Sequence, residues 1–250
     1  MKIAVCIKRV PDTETRIRIG GDGTSVDEAG VKFILNPYDE FAVEEALQRR
    51  DKAGGGDVVV LSLGADAAQE TMRTALAMGC DRGVLLQASP IPADGLAVAK
   101  AIAAELKGGG FDLILFGKMA VDDYNHQVGP MVAELLGLPC VTSVAHLELE
   151  GGKGTAEREV EGGMEVVEFA MPAVLTCDKG LNTPRYPALK GIMAAKKKPI
   201  EVKPAQLGAP RITVKALALP PERKEGRIVG EGPDAVPELL RLLREEAKVL

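Results

Sequence analysis

Val58-Val59-Val60-Leu61-Ser62-Leu63 decides how this chain is read. A short apolar run without polar alternation suits a strand covered on both faces. Downstream, Ala67 to Met78 places Ala68, Met72, Ala75 and Leu76 on one helical face. The alternation then repeats, with a strand from Gly83 to Leu86, a helix from Ala93 to Leu106 and a strand from Phe111 to Phe116. Upstream, Ile3 to Ile7 is another buried strand. Asn36-Pro37-Tyr38-Asp39 reads as a helix start, with Asn36 able to cap, Pro37 suited to the first turn, and Asp39 and Glu40 at the positive end of the dipole. That helix is expected to run to about Lys52, burying Phe41, Ala42, Ala46 and Leu47, before Gly54-Gly55-Gly56 stops it. Strands alternating with helices predict an α/β class, a doubly wound, mostly parallel sheet of Rossmann-like type.

The pattern changes after residue 143. Ala145 to Glu150, Ala156 to Val160 and Met164 to Phe169 read as an antiparallel meander with turns at Gly151-Gly152 and Gly162-Gly163, and Ala173 to Thr176 returns to the core. Beyond Asp178, prolines punctuate the chain at 184, 187, 199, 204, 210, 220 and 221 before an amphipathic helix from about Val236 to Ala247. The expected division is an α/β body over 1–200, containing the meander at 144–170, and a C-terminal segment over 201–250. That segment is either a linker or an arm that packs on another chain. Ile212, Val214, Leu217 and Leu219 favour the arm, because they are apolar enough to need cover.

Composition removes several classes of function. The 250 residues carry 31 Lys and Arg against 36 Asp and Glu, a net charge of -5, which argues against a broad basic surface for nucleic acid. With no Trp, five Phe and three Tyr, base-stacking platforms are not expected. Cys6, Cys80, Cys140 and Cys177 lack CxxC spacing and read as reduced, mostly buried thiols. The apolar opening is too short for a signal core, and no run approaches a membrane span, so a cytoplasmic protein is expected.

Open parallel sheets bind ligands beyond the carboxyl ends of their strands. Neither GxxxxGK[ST] nor GxGxxG is present; Lys8-Arg9-Val10-Pro11 follows the first strand instead. The most informative loop is Gly117-Lys118-Met119-Ala120-Val121-Asp122-Asp123-Tyr124-Asn125-His126-Gln127-Val128-Gly129, which passes from a strand into a helix expected over Gln127 to Leu136. It reads either as an anion-binding helix entrance or as a solvated loop whose Asp residues cap the helix. A metal site from Asp122, Asp123 and His126 lacks a second cluster to complete it. His146 reads as a partly buried strand residue, and Lys196-Lys197-Lys198 as a solvated face. The segment before those lysines combines prolines, an aromatic and aliphatics beside positive charge, which suits docking on an acidic partner.

Several segments together resemble the beta subunit of electron transfer flavoproteins. They are Lys8-Arg9-Val10-Pro11-Asp12, Gly30-Val31-Lys32 through Asn36-Pro37, Ala42-Val43-Glu44-Glu45-Ala46, Gln69-Glu70-Thr71 through Gly79, Asp81-Arg82-Gly83, and the Gly117 loop. A longer match runs from Arg158-Glu159-Val160-Glu161-Gly162-Gly163 through Met171-Pro172-Ala173-Val174-Leu175-Thr176 to Ile192-Met193-Ala194-Ala195-Lys196-Lys197-Lys198.

The resemblance implies an electron carrier rather than an enzyme with its own substrate, and no residue need act as acid or base. It implies an alpha subunit holding most of an FAD, with Thr13 and Tyr38 facing the flavin, and a structural AMP in this subunit. By position the AMP contacts fall at Cys6, Asn36, Pro37, Tyr38, Asp39, Leu63, Gly117, Lys118, Met119, Ala120, Val121, Asp122, Asp123, Tyr124, Asn125, His126, Gln127 and Val128. Thr13 stands where an aromatic is common, and Tyr124, Asn125 and His126 replace residues usual in the family. Tyr186, Leu189, Ile192 and Met193, in a loop over 182–198, would recognise partners, with Leu189 as anchor. The implied partners are acyl-CoA and other dehydrogenases, as in fatty acid oxidation, and a membrane quinone oxidoreductase. Two alternatives stay open: a bifurcating member with a second FAD in place of AMP, and a stand-alone adenine-nucleotide-binding module.

Overall fold

The computed structural model describes residues 1–222 and 225–250. The run Val58 to Leu63 lies in strand β4 (Asp57–Gly64), and its two-sided burial explains its composition. Val58 and Val60 face one apolar cluster, while Val59, Leu61 and Leu63 face another. With period-two geometry, a strand between two helical layers has no side that tolerates polar residues.

Around it lie β1 (Lys2–Ile7), β5 (Arg82–Gln87), β6 (Leu113–Gly117), β7 (Cys140–Glu150), β8 (Lys153–Val160), β9 (Gly163–Ala170), β10 (Ala173–Cys177) and β11 (Ile200–Pro204). The sheet has nine strands in the order β11-β5-β4-β1-β6-β10-β7-β8-β9. From β11 to β7 all neighbours are parallel. The β7-β8-β9 meander is antiparallel, as its glycine turns suggested. Helices α1 (Pro37–Lys52) and α2 (Ala68–Met78) supply one cluster. Helices α3 (Gly95–Leu106) and α4 (Val128–Leu136) supply the other. The doubly wound α/β class is therefore the observed one.

The structure adds elements that the hydropathy pattern did not reveal. Strands β2 (Arg9–Pro11) and β3 (Phe33–Leu35) pair as a separate antiparallel ribbon. Each is only three residues long, too short for a periodic signal. The sheet also runs past the expected boundary at 200, because β11 pairs along β5. Residues 189–195 form a short helix, α5 (Leu189–Ala195).

Several readings are corrected. Phe41 is only half-buried, while Ala42, Ala46 and Leu47 are fully enclosed. Cys140 is exposed, unlike the other three cysteines. Lys198 is not part of a solvated face: its Nζ donates to the carbonyls of Leu76 and Cys80, the C-terminal end of α2, where a cation complements the dipole.

The C-terminal segment starts anchored. Asp94 caps α3 by accepting from the Leu96 N–H (2.9 Å) through Oδ1, and its Oδ2 accepts from the Arg211 N–H (2.6 Å). Farther on, Leu217 N–H donates to the Gly23 carbonyl (2.8 Å). Ile212, Leu217 and Leu219 remain exposed. The terminal helix α6 (Val236–Glu245) presents Val236, Leu239 and Leu240 to solvent and buries Leu242.

Candidate functional site at the switch point

Strand order reverses at β1, with β4 on one side and β6 on the other. A crevice opens beyond the carboxyl ends of such a pair, and this is where open α/β sheets take ligands. Two chain segments leave those ends here: Lys8 after β1 and the Gly117 loop after β6. Leu63, near the end of β4, is buried beside them in the sheet, and Cys6 lies on β1.

The loop is held from three directions. Lys8 Nζ reaches Asp122 Oδ1 (2.8 Å) and Asp123 Oδ2 (3.0 Å). Burial works against the Lys8 ammonium, but these two carboxylates outweigh it and raise its pKa. Lys118 Nζ pairs with Asp178 (2.8 Å) and sits 5.1 Å over the Tyr38 ring. The Lys118 N–H donates to the Cys177 carbonyl (2.9 Å) at the end of β10, and the Asp123 and Tyr124 N–H groups donate back to the Ala120 carbonyl. Asn125 N–H finds Asp123 Oδ1 (3.1 Å).

Tyr124 and His126 both adopt left-handed backbone, at φ 54° and 55°. Such conformations cost a non-glycine residue and tend to cluster at functional loops. Tyr124 and His126 are exposed, and Gln127 sits at the N-cap of α4 with Val128 opening the helix. The helix thus starts one residue later than read, and its first-turn N–H groups have no partner within the helix. Gly129 in that turn lies so close to the sheet that a Cβ would stand 2.8 Å from Thr176 Cγ2.

At the base of the site stand Asn36 and Asp39. Asn36 occupies the N-cap position of α1, as read, but its side chain makes no capping bond. It turns to the loop instead: Nδ2 donates to Asp39 Oδ1 (2.9 Å) and the Met119 carbonyl (2.9 Å), and Oδ1 accepts from the Val121 N–H (3.1 Å). Asp39 also accepts from the Lys8 N–H (2.7 Å) and the Gly117 N–H (3.1 Å). Burial raises the Asp39 carboxyl to about 7, although all three donors and the Lys8 charge pull the other way. Burial, and then the Asp39 charge, push the Cys6 thiol well above its ordinary value. Burial does the same at Cys177 and takes Cys80 to about 12. None of these three buried thiols is an activated nucleophile.

The remaining expected site residues lie apart. Thr13 is exposed in the turn after β2, whereas Tyr38 is at the opposite end of the β2–β3 ribbon, half-buried. In the 182–198 loop Tyr186 is 97% exposed and Leu189 75%, with Ile192 and Met193 also in solvent. Its roots are firm. Glu44 of α1 accepts from Arg185 Nε (2.7 Å) and Nη2 (2.9 Å), and Glu45 accepts from Asn182 Nδ2 (3.0 Å). His146 is exposed beside Glu148, not partly buried.

Sequence reasoning passed over Lys8 and Asp178. The signal available for Lys8 was a Lys-Arg pair where a phosphate-binding strand end carries glycines, facing two consecutive acids in the loop. Asp178 had no such signal.

Similarity to known proteins agrees with this geometry. The profile of the electron transfer flavoprotein domain matches residues 23–207. The chain is 43% identical to the electron transfer flavoprotein subunit beta of Syntrophomonas wolfei, covering 94% of this chain and 92% of that one. It is 39% identical to the subunit beta of Bacillus subtilis across the full length of both, and 41% identical to that of Homo sapiens over 98% of each. With a family profile covering most of the chain and relatives that match it nearly end to end, the chain belongs to the beta-subunit family of electron transfer flavoproteins.

Proposed function

We propose that the chain is half of a heterodimeric electron carrier, with a flavin shared across the subunit interface and an adenine nucleotide held at the switch point as a structural element. The observation that supports this most directly is the Gly117 loop. It is strapped to β1, β10 and α1 around the entrance of α4, and its two acids are engaged by Lys8.

The residues fit a nucleotide. The crevice joins an apolar wall at Leu63 to the unpartnered N–H groups at the start of α4, which suit a phosphate. The two consecutive acids of the loop, Asp122 and Asp123, share the single charge of Lys8, which offsets half of theirs. For the flavin this chain offers little by itself. Tyr38, stiffened by Lys118 above its ring, and the distant Thr13 can cover one side only, so most of an FAD site must come from an alpha subunit. When bound, FAD accepts electrons from a donor and passes them on; this chain's part is to orient it and to present the docking surface. On this reading, Tyr186, Leu189, Ile192 and Met193 meet acyl-CoA-type dehydrogenases in the cytoplasm, and the carrier delivers electrons to a membrane quinone oxidoreductase. Among the described residues no helix is long and apolar enough to cross a membrane.

Co-expression with a tagged candidate alpha subunit tests the reading. The expected product is a yellow heterodimer with one flavin and one releasable AMP per pair. Two flavins and no AMP would instead indicate the bifurcating alternative. A colourless chain that ignores the alpha subunit would overturn the proposal and leave the stand-alone module.

A further inference from the structure

Every polar atom of two side chains beneath the crevice already has a partner inside the protein. Asn36 is fully buried and Asp39 nearly so. Both Asn36 Nδ2 hydrogens are committed, one to Asp39 Oδ1 and one to the Met119 carbonyl, and Oδ1 takes the Val121 N–H. Asp39 Oδ2 takes the Lys8 N–H and Oδ1 the Gly117 N–H. The Asn36 N–H in turn donates to the Lys8 carbonyl (3.1 Å). The ends of β1 and β6, the start of α1 and the crevice loop thus meet on one carboxylate and one amide.

Glycine at 117 is part of the same arrangement. A Cβ there would stand 2.4 Å from Asp39 Oδ1 and 2.7 Å from the Tyr38 carbonyl carbon. The strand end comes this close because its N–H reaches the carboxylate. The arrangement also removes the N–H groups of Lys8, Gly117 and Val121 from the donors a ligand could use.

We propose that Asn36 and Asp39 are positioning residues of the nucleotide site: their side chains set the spacing of the two strand ends and the loop between which it lies. This rests on the nucleotide reading above and assigns these two residues a role distinct from contact. The charged and titratable groups around Asp39 fit a hub that binds through N–H donors rather than an ion pair. Lys8, just past the end of β1, spends its ammonium on Asp122 and Asp123. Lys118 spends its own on Asp178. Cys6 on β1 and Cys177 on β10 stay neutral behind it.

The test uses the full chain together with the alpha subunit it purifies with, and AMP as the probe. Asp39→Asn keeps the shape but turns an N–H donor towards the Lys8 or Gly117 N–H, and Asn36→Ser removes the loop bonds while sparing the carboxylate. Each is expected to weaken AMP binding at least tenfold. Asn36→Ser keeps the question answerable if Asp39→Asn does not fold. Amide NMR supplies a readout that general loosening would not mimic. In the parent protein the Lys8 and Gly117 amide protons should titrate with one shared midpoint, and in Asp39→Asn that shared step should vanish. AMP affinity within twofold of the parent in both variants, or separate midpoints for the two amides, would overturn the positioning role. A parent protein that binds no AMP would instead sink the nucleotide reading, while the amide titration still decides whether the carboxylate joins the two strand ends.

Discussion

One helix holds both the crevice loop and the 182–198 loop, and it does so with two carboxylates that behave in opposite ways. Near its N-terminus, Asp39 grips the crevice loop; less than two turns on, Glu44 grips the 182–198 loop. Both side chains are buried. Asp39 receives only N–H and amide donors, so burial prevails and its pKa climbs to about 7. Burial also pushes Glu44 upward, but the bonds from Arg185 and Gln48 outweigh it and its pKa falls below the ordinary value. In this helix, desolvation is overcome where a bidentate guanidinium faces the carboxylate and prevails where the donors are neutral. The crevice loop is therefore tied to a carboxyl that titrates near neutrality, and the 182–198 loop to one held by a cation.

The largest effect that could break this comparison is in the pH dependence of stability. Between 3.8 and about 7, the native state keeps a proton on Asp39 that the unfolded chain has released. Unfolding then frees protons, so this group's contribution falls as pH rises through that window. Glu44 has the reverse sign: its contribution is present above about 4.5 and is lost as pH falls through the lower native value. Urea midpoints measured from pH 4 to 8 should show that Asp39→Asn flattens the profile relative to the parent. An unchanged profile would mean that the carboxylate is ionised throughout.

A smaller effect sharpens the other half. Arg185→Ala takes the guanidinium from a buried Glu44 carboxylate, which keeps only Gln48 and the backbone N–H of residue 185, and losing hydrogen bonds to a charged group costs about 1.5–3 kcal/mol. Chemical denaturation should register that loss, and proteolysis should become faster within 182–198. A variant as stable as the parent would show that the 182–198 loop is held elsewhere, for instance by Arg73 on the Ala195 and Lys198 carbonyls. The smallest expected change in stability is from Leu189→Ala. Its side chain is mostly in solvent, so the fold should shift by no more than about 0.5 kcal/mol. Electron transfer across a dehydrogenase titration should nevertheless weaken, with FAD content unchanged. Unaltered rates would remove Leu189 as the docking anchor.

The layers of this molecule were legible in its sequence because β4 and its neighbours are sandwiched between helices and must be apolar on both sides. The crevice loop was legible as a place, since a glycine-bounded polar stretch joins a buried strand to a helix. Its architecture was not. Asp39 reads as an ordinary first-turn acid, and nothing in its neighbours reveals that β1 and β6 end against it. The same holds for Lys198, which is indistinguishable in sequence from the two exposed lysines before it. The β2–β3 ribbon is defined by pairing between distant segments, which leaves no local trace in three-residue strands. Helix α5 follows two prolines and contains Gly191, which masks it. There a Cβ would lie 2.4 Å from the Ala77 carbonyl, a close approach visible only after folding.

Asp94 has two allegiances, finishing the start of α3 with one oxygen and seizing the backbone at Arg211 with the other. The C-terminal stretch consequently leaves the body from a nailed point, not as a tether free from Pro204 onward. Any surface that comes to shelter Ile212, Leu219 and the greasy side of α6 finds the base of its quarry already stationary. Fewer residues then surrender their freedom at the moment of capture, and the encounter is correspondingly less costly in entropy.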